Sequence, residues 1–327
     1  MNNKLSAFII TALFFAGSMA CKKDTSEAAA QPTGSTLYEL VQADTAEFSI
    51  LYTILNKTRL SDTLSRFSDT VHNTGMYTLF APTDSAFVHA GITKDSLNHM
   101  RLTVMTLMAK YFVTRGGYST GSFPGGAELQ VLQYGSALDL KQPNRYAWIT
   151  HHIPNDSFYI NGAPLLKHDI PAKNGILHKL GGIIEHSNVD IANTIATDPR
   201  FAALSWGYGY GNIWQSSSDT TLKTVFYPTL ATAAALPPNT FPDAWLHTLP
   251  NMIVFDPDFY DLNQHYVQCA YNGPFWYRLN FRFVLNPGPA VINPQGFGTP
   301  ANILRTPGIV TTNGVIHFID QAFVFQG

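Results

Sequence analysis

Histidines and aspartates are the residues of this sequence that could carry acid–base or metal chemistry. His151 and His152 are adjacent, and Asp256, Asp258 and Asp261 form an acidic cluster. Neighbouring residues of a strand point to opposite faces, so the histidine pair is poorly placed to share a metal ion. The acidic cluster lacks the glycine and the terminal glutamate of an EF-hand loop. Spacing along the chain does not say whether these carboxylates reach the ~5–9 Å separation of a glycosidase pair.

Sequence motifs of the common catalytic sites are absent from the chain. It contains no G-x-S-x-G elbow, H-E-x-x-H pair, P-loop or dinucleotide fingerprint. We therefore expect no catalytic residue, no metal and no cofactor. A polysaccharide hydrolase that uses one of the three clustered aspartates stays as an alternative.

The composition is that of a folded, weakly charged protein. Hydrophobic residues make up 45% of the chain and charged residues only 13%, against about 25% in an ordinary soluble protein. Such a chain has enough apolar material for a core and is not disordered. The formal net charge of −2 gives no electrostatic footprint for nucleic acid.

The N-terminal twenty residues have the pattern of an export signal. Lys4 precedes an apolar run over residues 5–16, and small residues follow up to Ala20. This run is shorter than the ~20 residues that a membrane-spanning helix needs. We interpret residues 1–20 as a signal peptide.

Cys21 follows the predicted cleavage site directly, and this arrangement resembles the lipobox of bacterial lipoproteins. The resemblance implies that Cys21 is diacylated, becomes the mature N-terminus and anchors the protein to the outer membrane, exposed at the surface. Ser18 stands where the lipobox has leucine, and ordinary secretion is the alternative. Residues 21–35 are rich in Ser, Thr, Ala, Gln and Pro and are predicted to be a flexible tether.

A tandem repeat organises the rest of the chain. The segment 174–184 (NGILHKLGGII) recurs at 313–323 (NGVIHFIDQAF), and the segment 77–87 (YTLFAPTDSAF) recurs more loosely at 224–234 (TVFYPTLATAA). An apolar stretch with helical spacing opens each copy, around Asp44 in the first and around Asp198 in the second. These three elements in the same order indicate a duplicated unit. The predicted domains, copy one and copy two below, are residues 36–187 and 188–327.

Local patterns predict the elements within each copy. Residues 76–80 alternate like a strand that Pro82 ends, and Thr83 or Asp84 can cap a helix that begins at Ser85. The dipeptides Asn161-Gly162 and Asn174-Gly175 predict type I′ hairpin turns. Residues 101–112 read as an amphipathic helix whose buried stripe contains Val104, Met105, Met108, Tyr111 and Phe112. Helices early in the unit and strands late in it predict an α+β fold.

The segments FAPTDSAF (80–87) and NGILH (174–178) resemble the two signature segments of the fasciclin-like domain. Copy two retains the second segment, but it has Tyr227 in place of Ala81 and Leu230 in place of Asp84. The resemblance implies two tandem α+β domains, each a β-wedge or sandwich packed with helices. It also implies a non-enzymatic adhesion or interaction module.

The resemblance further suggests a candidate adhesion motif. Some members carry an Asp-Ile pair before the second signature, and here Asp169 and Ile170 occupy that place. In copy two the matching residues are Gly308 and Ile309, so the acid is missing. A carboxylate that only caps a turn is the alternative interpretation of Asp169.

Aromatic residues are concentrated in copy two, where ten of the 29 positions from 255 to 283 are aromatic. Aromatic rings stack on sugars and dominate protein interfaces, whereas the alternative for each ring is a place in the core. The histidines of the two signatures, His178 and His317, are expected in packed strands, bonded to backbone. The candidate binding surface consists of Tyr208, Tyr210, Tyr260, Tyr266, Tyr271, Trp276 and Tyr277.

Together these patterns predict a lipid-anchored envelope protein that binds a glycan or a partner surface protein without catalysis. The main alternative is a structural subunit of an outer-membrane glycan-uptake assembly.

Overall fold

The computed structural model describes residues 34–66, 76–123, 148–152, 156–184, 189–201, 222–238, 242, 244–255, 266–268, 278–282, 291–294, 299–304 and 308–324. Side chains are described in these ranges except at 152, 266–268, 278–282 and 293–294. The helices are α1 Leu37–Ala43, α2 Thr45–Lys57, α3 Leu60–Leu64, α4 Asp84–His89, α5 Ser96–His99, α6 Leu102–Tyr111, α7 Ile191–Thr197 and α8 Leu230–Ala234.

The strands of copy one are β1 Tyr77–Pro82, β2 Val113–Arg115, β3 Ile149–His152, β4 Ser157–Ile160, β5 Ala163–Ala172 and β6 Gly175–Leu180. Those of copy two are β7 Lys223–Pro228, β8 Thr248–Pro250, β9 Tyr266–Gln268, β10 Arg278–Arg282, β11 Val291–Pro294, β12 Ala301–Asn302, β13 Ile309–Thr311 and β14 Gly314–Ile319.

The sheet of copy one joins its first strand to its last. The strand order is β2-β1-β6-β5-β4-β3. β1 runs parallel to β6, in a register that places Tyr77 opposite Gly175 and Phe80 opposite His178, and antiparallel to β2. The two signature segments are therefore neighbours in space.

Copy two repeats this central arrangement. Its order is β13-β14-β7-β8, with β7 parallel to β14 and antiparallel to β8. The register places Lys223 opposite Gly314 and Phe226 opposite His317, which is the register of copy one. A separate sheet, β12-β11-β10-β9, belongs to copy two alone among the described strands. The α+β prediction is confirmed, while the domain boundary at 187/188 lies outside the described residues and stays a prediction.

A buried asparagine holds the helices onto the sheet in each copy. The side chain of Asn174 accepts from the Leu37 N–H at the start of α1 (2.8 Å) and donates to the carbonyls of Leu64 (2.7 Å) and Arg66 (3.0 Å) at the end of α3. Asn313 accepts the Ile191 N–H at the start of α7 at 2.9 Å. Both helix starts correspond to the apolar stretches that open the predicted copies, so these stretches are equivalent in the fold.

The cap prediction at the end of β1 is right for Thr83 and incomplete for Asp84. Thr83 caps α4 by accepting from the Ala86 N–H, and the helix begins at Asp84 rather than at Ser85. The Asp84 carboxylate accepts from the N–H groups of Ser49 (3.1 Å) and Ile50 (2.8 Å). These N–H groups follow a kink in α2, so the signature aspartate caps the second part of that helix.

One of the two predicted type I′ turns is present. Asn161 and Gly162 have φ values of 48° and 78° and connect β4 to β5. The other prediction is wrong, because Lys173 and Asn174 form the turn before β6 and neither has a positive φ. Gly175 instead allows the backbone of β6 to approach β1 closely, because an added Cβ would lie 1.8 Å from the Tyr77 carbonyl oxygen.

The predicted stripe of α6 is partly wrong. Met105, Tyr111 and Phe112 are buried as expected, but Val104 is 51% exposed. Leu102 and Leu107 are exposed as well, and Ala109 is buried in the core although it was not part of the predicted stripe.

The copies contact each other through a tryptophan. Thr33–Gly327 forms one compact unit. Trp148, at the start of β3, is 4% exposed and packs in a cluster with Ile253, Phe255 and Val315 of copy two. Gly162 faces Phe255 closely, with 3.3 Å between the ring and an added Cβ. Along the described residues, every helix is too short or too polar to cross a bilayer.

Candidate functional site

Residues 167–170 of β5, called the Asp169 turn below, interrupt the pairing of β5 with β6. The register shifts on both sides of Lys167 and resumes at Ile170. Asp169 has a φ of 59°, a left-handed conformation that is uncommon outside glycine but that aspartate adopts more readily than most residues. The chain therefore bulges at the residue predicted to carry the adhesion motif.

The carboxylate of Asp169 is bonded within the protein. It accepts from the Thr120 N–H at 2.8 Å and from the Thr120 hydroxyl, and His168 Nδ1 lies 3.0 Å away. Burial acts to raise the pKa of Asp169, but the hydrogen bonds from Thr120 and His168 outweigh it and lower the pKa. These contacts support the turn-capping interpretation, and the side chain still has 34% of its surface exposed.

Ile170 is half-buried and packs against the core of copy one. Its side chain is thus largely engaged by the fold. A ligand at this turn would meet the exposed part of Asp169 rather than the whole pair.

His178 lies beneath the Asp169 turn with both ring nitrogens occupied. Nδ1 accepts from the Asp169 N–H at 3.3 Å, so Nε2 carries the proton and donates to the Tyr118 carbonyl at 2.8 Å. The ring is fully buried and stacks on Phe80, with 5.5 Å between centroids. Burial lowers the pKa of His178, and its two backbone hydrogen bonds require the neutral ring. The prediction that this histidine is a packed residue bonded to backbone is confirmed.

His317 has the same place in copy two. Its Nε2 donates to the Val254 carbonyl at 2.7 Å, and its ring stacks on Phe226 at 5.9 Å. Gly308, predicted as the counterpart of Asp169, lies against this ring, and an added Cβ would lie 2.7 Å from its Cε1 atom. A side chain has no room there, which is the physical reason for the missing acid.

Thr120, His168 and Asp169 include the residue types of a nucleophile, a base and an orienting acid. Their geometry does not fit that chemistry. The Thr120 hydroxyl lies 3.4 Å and an Asp169 carboxylate oxygen 3.0 Å from the same atom, His168 Nδ1. A relay needs the two ring nitrogens to serve different partners, so this cluster is a capping network.

Two histidine–aspartate pairs flank Phe158 on the surface of copy one. His151 Nε2 lies 2.7 Å from the Asp156 carboxylate, and the His151 ring stacks on Phe158 at 4.2 Å. His168 meets the Phe158 ring in a T-shaped arrangement, with 5.5 Å between centroids. We call His151, Asp156, His168 and Asp169 the His–Asp face. Asp156 is its most accessible member, with 81% of its side chain exposed.

The aromatic binding prediction falls mostly beyond the described part of the chain. Tyr266 belongs to β9, but its side chain is not described, and Phe255 is buried at 3% exposure, as the core alternative expects. Within the described residues, no group of three or more His, Cys, Asp or Glu side chains could hold a metal ion. The following predicted residues lie outside the described ranges: Cys21, Tyr208, Tyr210, Asp256, Asp258, Tyr260, Asp261, Tyr271, Trp276 and Tyr277.

Sequence reasoning did not identify Thr120 as the partner of Asp169. The two residues are 49 positions apart, and no local pattern connects them. The same holds for Asp156 and Phe158, whose role depends on the pairing of β3 with β4.

Comparison with known proteins finds a family model that matches most of copy one. Residues 46–185 match the family model of the Fasciclin domain. The rabbit (Oryctolagus cuniculus) transforming growth factor-beta-induced protein ig-h3 is 24% identical over 300 residues, which cover 89% of this chain and 39% of the relative. The protein of the same name from pig (Sus scrofa) is 23% identical over 297 residues, with the same coverage. The chain thus spans about two fifths of the length of these relatives.

A solved structure is also similar, that of a FAS1 domain pair from the insect cell adhesion molecule Fasciclin I. The match has 14% identity and a TM-score of 0.34, over 87% of this chain and 95% of that chain.

Proposed function

Because residues 46–185 form a fasciclin domain, we propose that this chain is a non-catalytic binding or adhesion protein of the cell envelope. Fasciclin domains are adhesion-type modules, and the relatives that carry them are exported, which is consistent with the pattern of residues 1–20. The finer parts of the proposal are a lipid at Cys21, an outer-membrane location and a glycan or surface protein as the ligand.

The observation that carries the proposal is that the polar side chains of the two signature segments are hydrogen-bonded to backbone. Asn174 holds the ends of two helices, Thr83 and Asp84 cap helices, and His178 bridges two backbone groups. Each of these four residues is hydrogen-bonded to backbone. They include Asp84 and His178, the two signature residues able to do acid–base chemistry. Their geometry supports a scaffold that presents a surface rather than a catalytic centre.

Among the described residues, the His–Asp face is the best-supported contact surface. It combines partly accessible carboxylates and imidazoles, and the buried ring of Phe158 supports the imidazoles from beneath. Such groups suit the hydroxyls of a glycan or the polar rim of a protein partner. Asp156 contributes through its accessibility, because its carboxylate has one bonded oxygen and is otherwise open to solvent.

The experiment is a binding measurement with the mature chain. The protein is incubated with a glycan array and with solubilised envelope proteins from its own cells, and captured ligands are identified. Asp156→Asn keeps the shape of the side chain but removes its charge, and we expect it to weaken capture at least threefold. Asp95→Asn changes an exposed acid between α4 and α5 and serves as the matched control. Equal capture by both variants would remove the His–Asp face from the proposal, and no capture by the native chain would overturn the proposal itself.

Membrane attachment is tested separately. Mass spectrometry of the mature N-terminus is expected to find fatty acid on Cys21, and Cys21→Ser is expected to release the protein from the membrane fraction. A native terminus without lipid would support ordinary secretion instead.

The exposed apolar residues of α6 favour a second candidate, a structural subunit of an outer-membrane assembly. Val104 is 51% exposed and Leu107 is 36% exposed, three positions apart on the same side of the helix, and neighbouring exposed apolar residues suit a protein partner. Sedimentation and dye binding distinguish the two candidates. A monomer that binds no hydrophobic dye would count against the assembly subunit.

A further inference from the structure

We propose that the Asp169 turn is a latch that opens when His178 takes up a proton. The inference goes beyond the proposed function, since it concerns a conformational equilibrium of copy one and holds whether or not this turn touches a ligand.

The closed latch requires a neutral imidazole. His178 Nδ1 accepts the Asp169 N–H and Nε2 donates to the Tyr118 carbonyl, so a second proton can go only to Nδ1. Protonated Nδ1 and the amide N–H of Asp169 would then be two donors facing each other at a separation of 3.3 Å. The hydrogen bond between them is lost, and the buried ring must bear a charge.

Loss of the hydrogen bond between the Asp169 N–H and His178 weakens the Asp169 turn. Asp169 is held at a φ of 59°, a left-handed conformation that its surrounding contacts help to maintain. The pairing of β5 with β6 is irregular on the N-terminal side of Asp169. Once the bond between the Asp169 N–H and His178 is broken, the contacts of the Asp169 carboxylate with Thr120 and His168 remain, while the irregular ladder no longer protects the Asp169 amide.

Some of the groups that face His178 favour its charged form, and others disfavour it. The Asp169 carboxylate on β5 favours the charged ring, whereas burial and the nearby His168 on the same strand disfavour it. The loop after β2 supplies the Tyr118 carbonyl, and apolar rings come from Phe80 on β1 and from Phe123. His168 Nδ1 also contacts the Asp169 carboxylate, at 3.0 Å.

The direction of the pH effect follows from linkage. In the open latch His178 is solvated and has an ordinary pKa of about 6.5, whereas in the closed latch burial lowers its pKa. The closed state is fully favoured above about pH 6.5 and loses stability as the pH falls below that value. Relative to pH 7.5, opening is enhanced about 4-fold at pH 6 and at most about 30-fold at pH 5. The Asp169 carboxylate does not drive this change, because carboxyl groups titrate near pH 4 or below.

Hydrogen exchange of the full mature chain tests the latch. The Asp169 amide is followed by NMR or in short peptides around residue 169, with protection factors corrected for the intrinsic pH dependence of exchange. We expect protection at this amide to fall by 10- to 30-fold between pH 7.5 and pH 5. His178→Gln offers an acceptor and a donor without titrating, and is expected to abolish the dependence. Constant protection across this range in the native chain would overturn the proposal.

The repeat provides a matched control. His317→Gln changes the equivalent buried histidine in copy two, where Gly308 replaces the acid, and is expected to leave the pH dependence at Asp169 unchanged. If His178→Gln does not fold, the ring nitrogens of His178 in the native chain are titrated by NMR. A ring already charged at pH 7.5 would overturn the latch, and a neutral Nε2–H ring whose protonation parallels the loss of amide protection would support it.

Discussion

Replacement of Asn174 by alanine is the sharpest test of how copy one is held together. Its side chain is bonded to the Leu37 N–H and to the Leu64 and Arg66 carbonyls, and the residue is 1% exposed. Alanine would leave the first two of these groups buried without a partner. The Arg66 carbonyl is partly accessible, so water can replace that bond.

Each buried polar group that loses its partner costs about 1–3 kcal/mol. For the Leu37 N–H and the Leu64 carbonyl together, we expect Asn174→Ala to lower the free energy of unfolding by about 2–6 kcal/mol. A domain of this kind has about 5–15 kcal/mol in total, so the variant would be close to unfolding at physiological temperature.

Guanidinium unfolding, followed by circular dichroism and by tryptophan fluorescence, measures this loss. The midpoint should fall while the slope with denaturant stays the same, since the native state still buries the same surface. Asn98→Ala removes an exposed amide bonded to Lys57 and is expected to change the unfolding free energy by less than about 0.5 kcal/mol. A loss below about 1 kcal/mol for Asn174→Ala would refute the idea that this amide clamps the helices to the sheet.

Three other substitutions test separate contacts. Gly175→Ala would place a Cβ 1.8 Å from the Tyr77 carbonyl oxygen, and we expect little or no soluble protein in an expression assay, whereas normal yield would disprove the tight β1–β6 contact. Trp148→Ala would empty the cluster between the copies and cost about 3–5 kcal/mol; calorimetry should then resolve two unfolding transitions, and an unchanged single transition would contradict the coupling. Asp84→Ala would leave the Ser49 and Ile50 N–H groups at the α2 kink uncapped. We expect it to lower the free energy of unfolding by about 1–2 kcal/mol, measured as a lower melting temperature. An unchanged melting curve would show that the cap is dispensable.

The repeat was predictable because the signature segments are local and continuous, whereas the parallel strand pairing and its register were found only in the structure. Asn174 and Asn313 begin the same motif, and their equal roles at the two helix starts follow from that motif. The packed state of His178 was predictable for the same reason. The turn at Asn174 was not, because its side chain is used for long-range hydrogen bonds and the flanking glycine for a close approach to β1.

Contacts between distant residues account for the rest. The error at Val104 arose because helical periodicity does not say which of two apolar faces the core will cover. Asp84 resembled a local cap, yet its partners lie 34 and 35 residues away in α2. The contact of Trp148 with copy two joins the two repeats and has no pattern within either of them. Sequence therefore identifies the scaffold more completely than the surface it presents.

The parallel pairing of the first and last strands within each copy has a consequence for biosynthesis. Tyr77 cannot find its partner Gly175 until nearly one hundred further residues have been translated, which takes about 5–20 s at ordinary elongation rates. During that interval β1 can pair only with the short strand β2 and has one open edge, so a nascent chain would need protection against aggregation. The second copy repeats the same delay with its own pair of strands, and premature termination anywhere before β14 would leave that copy without its central pairing.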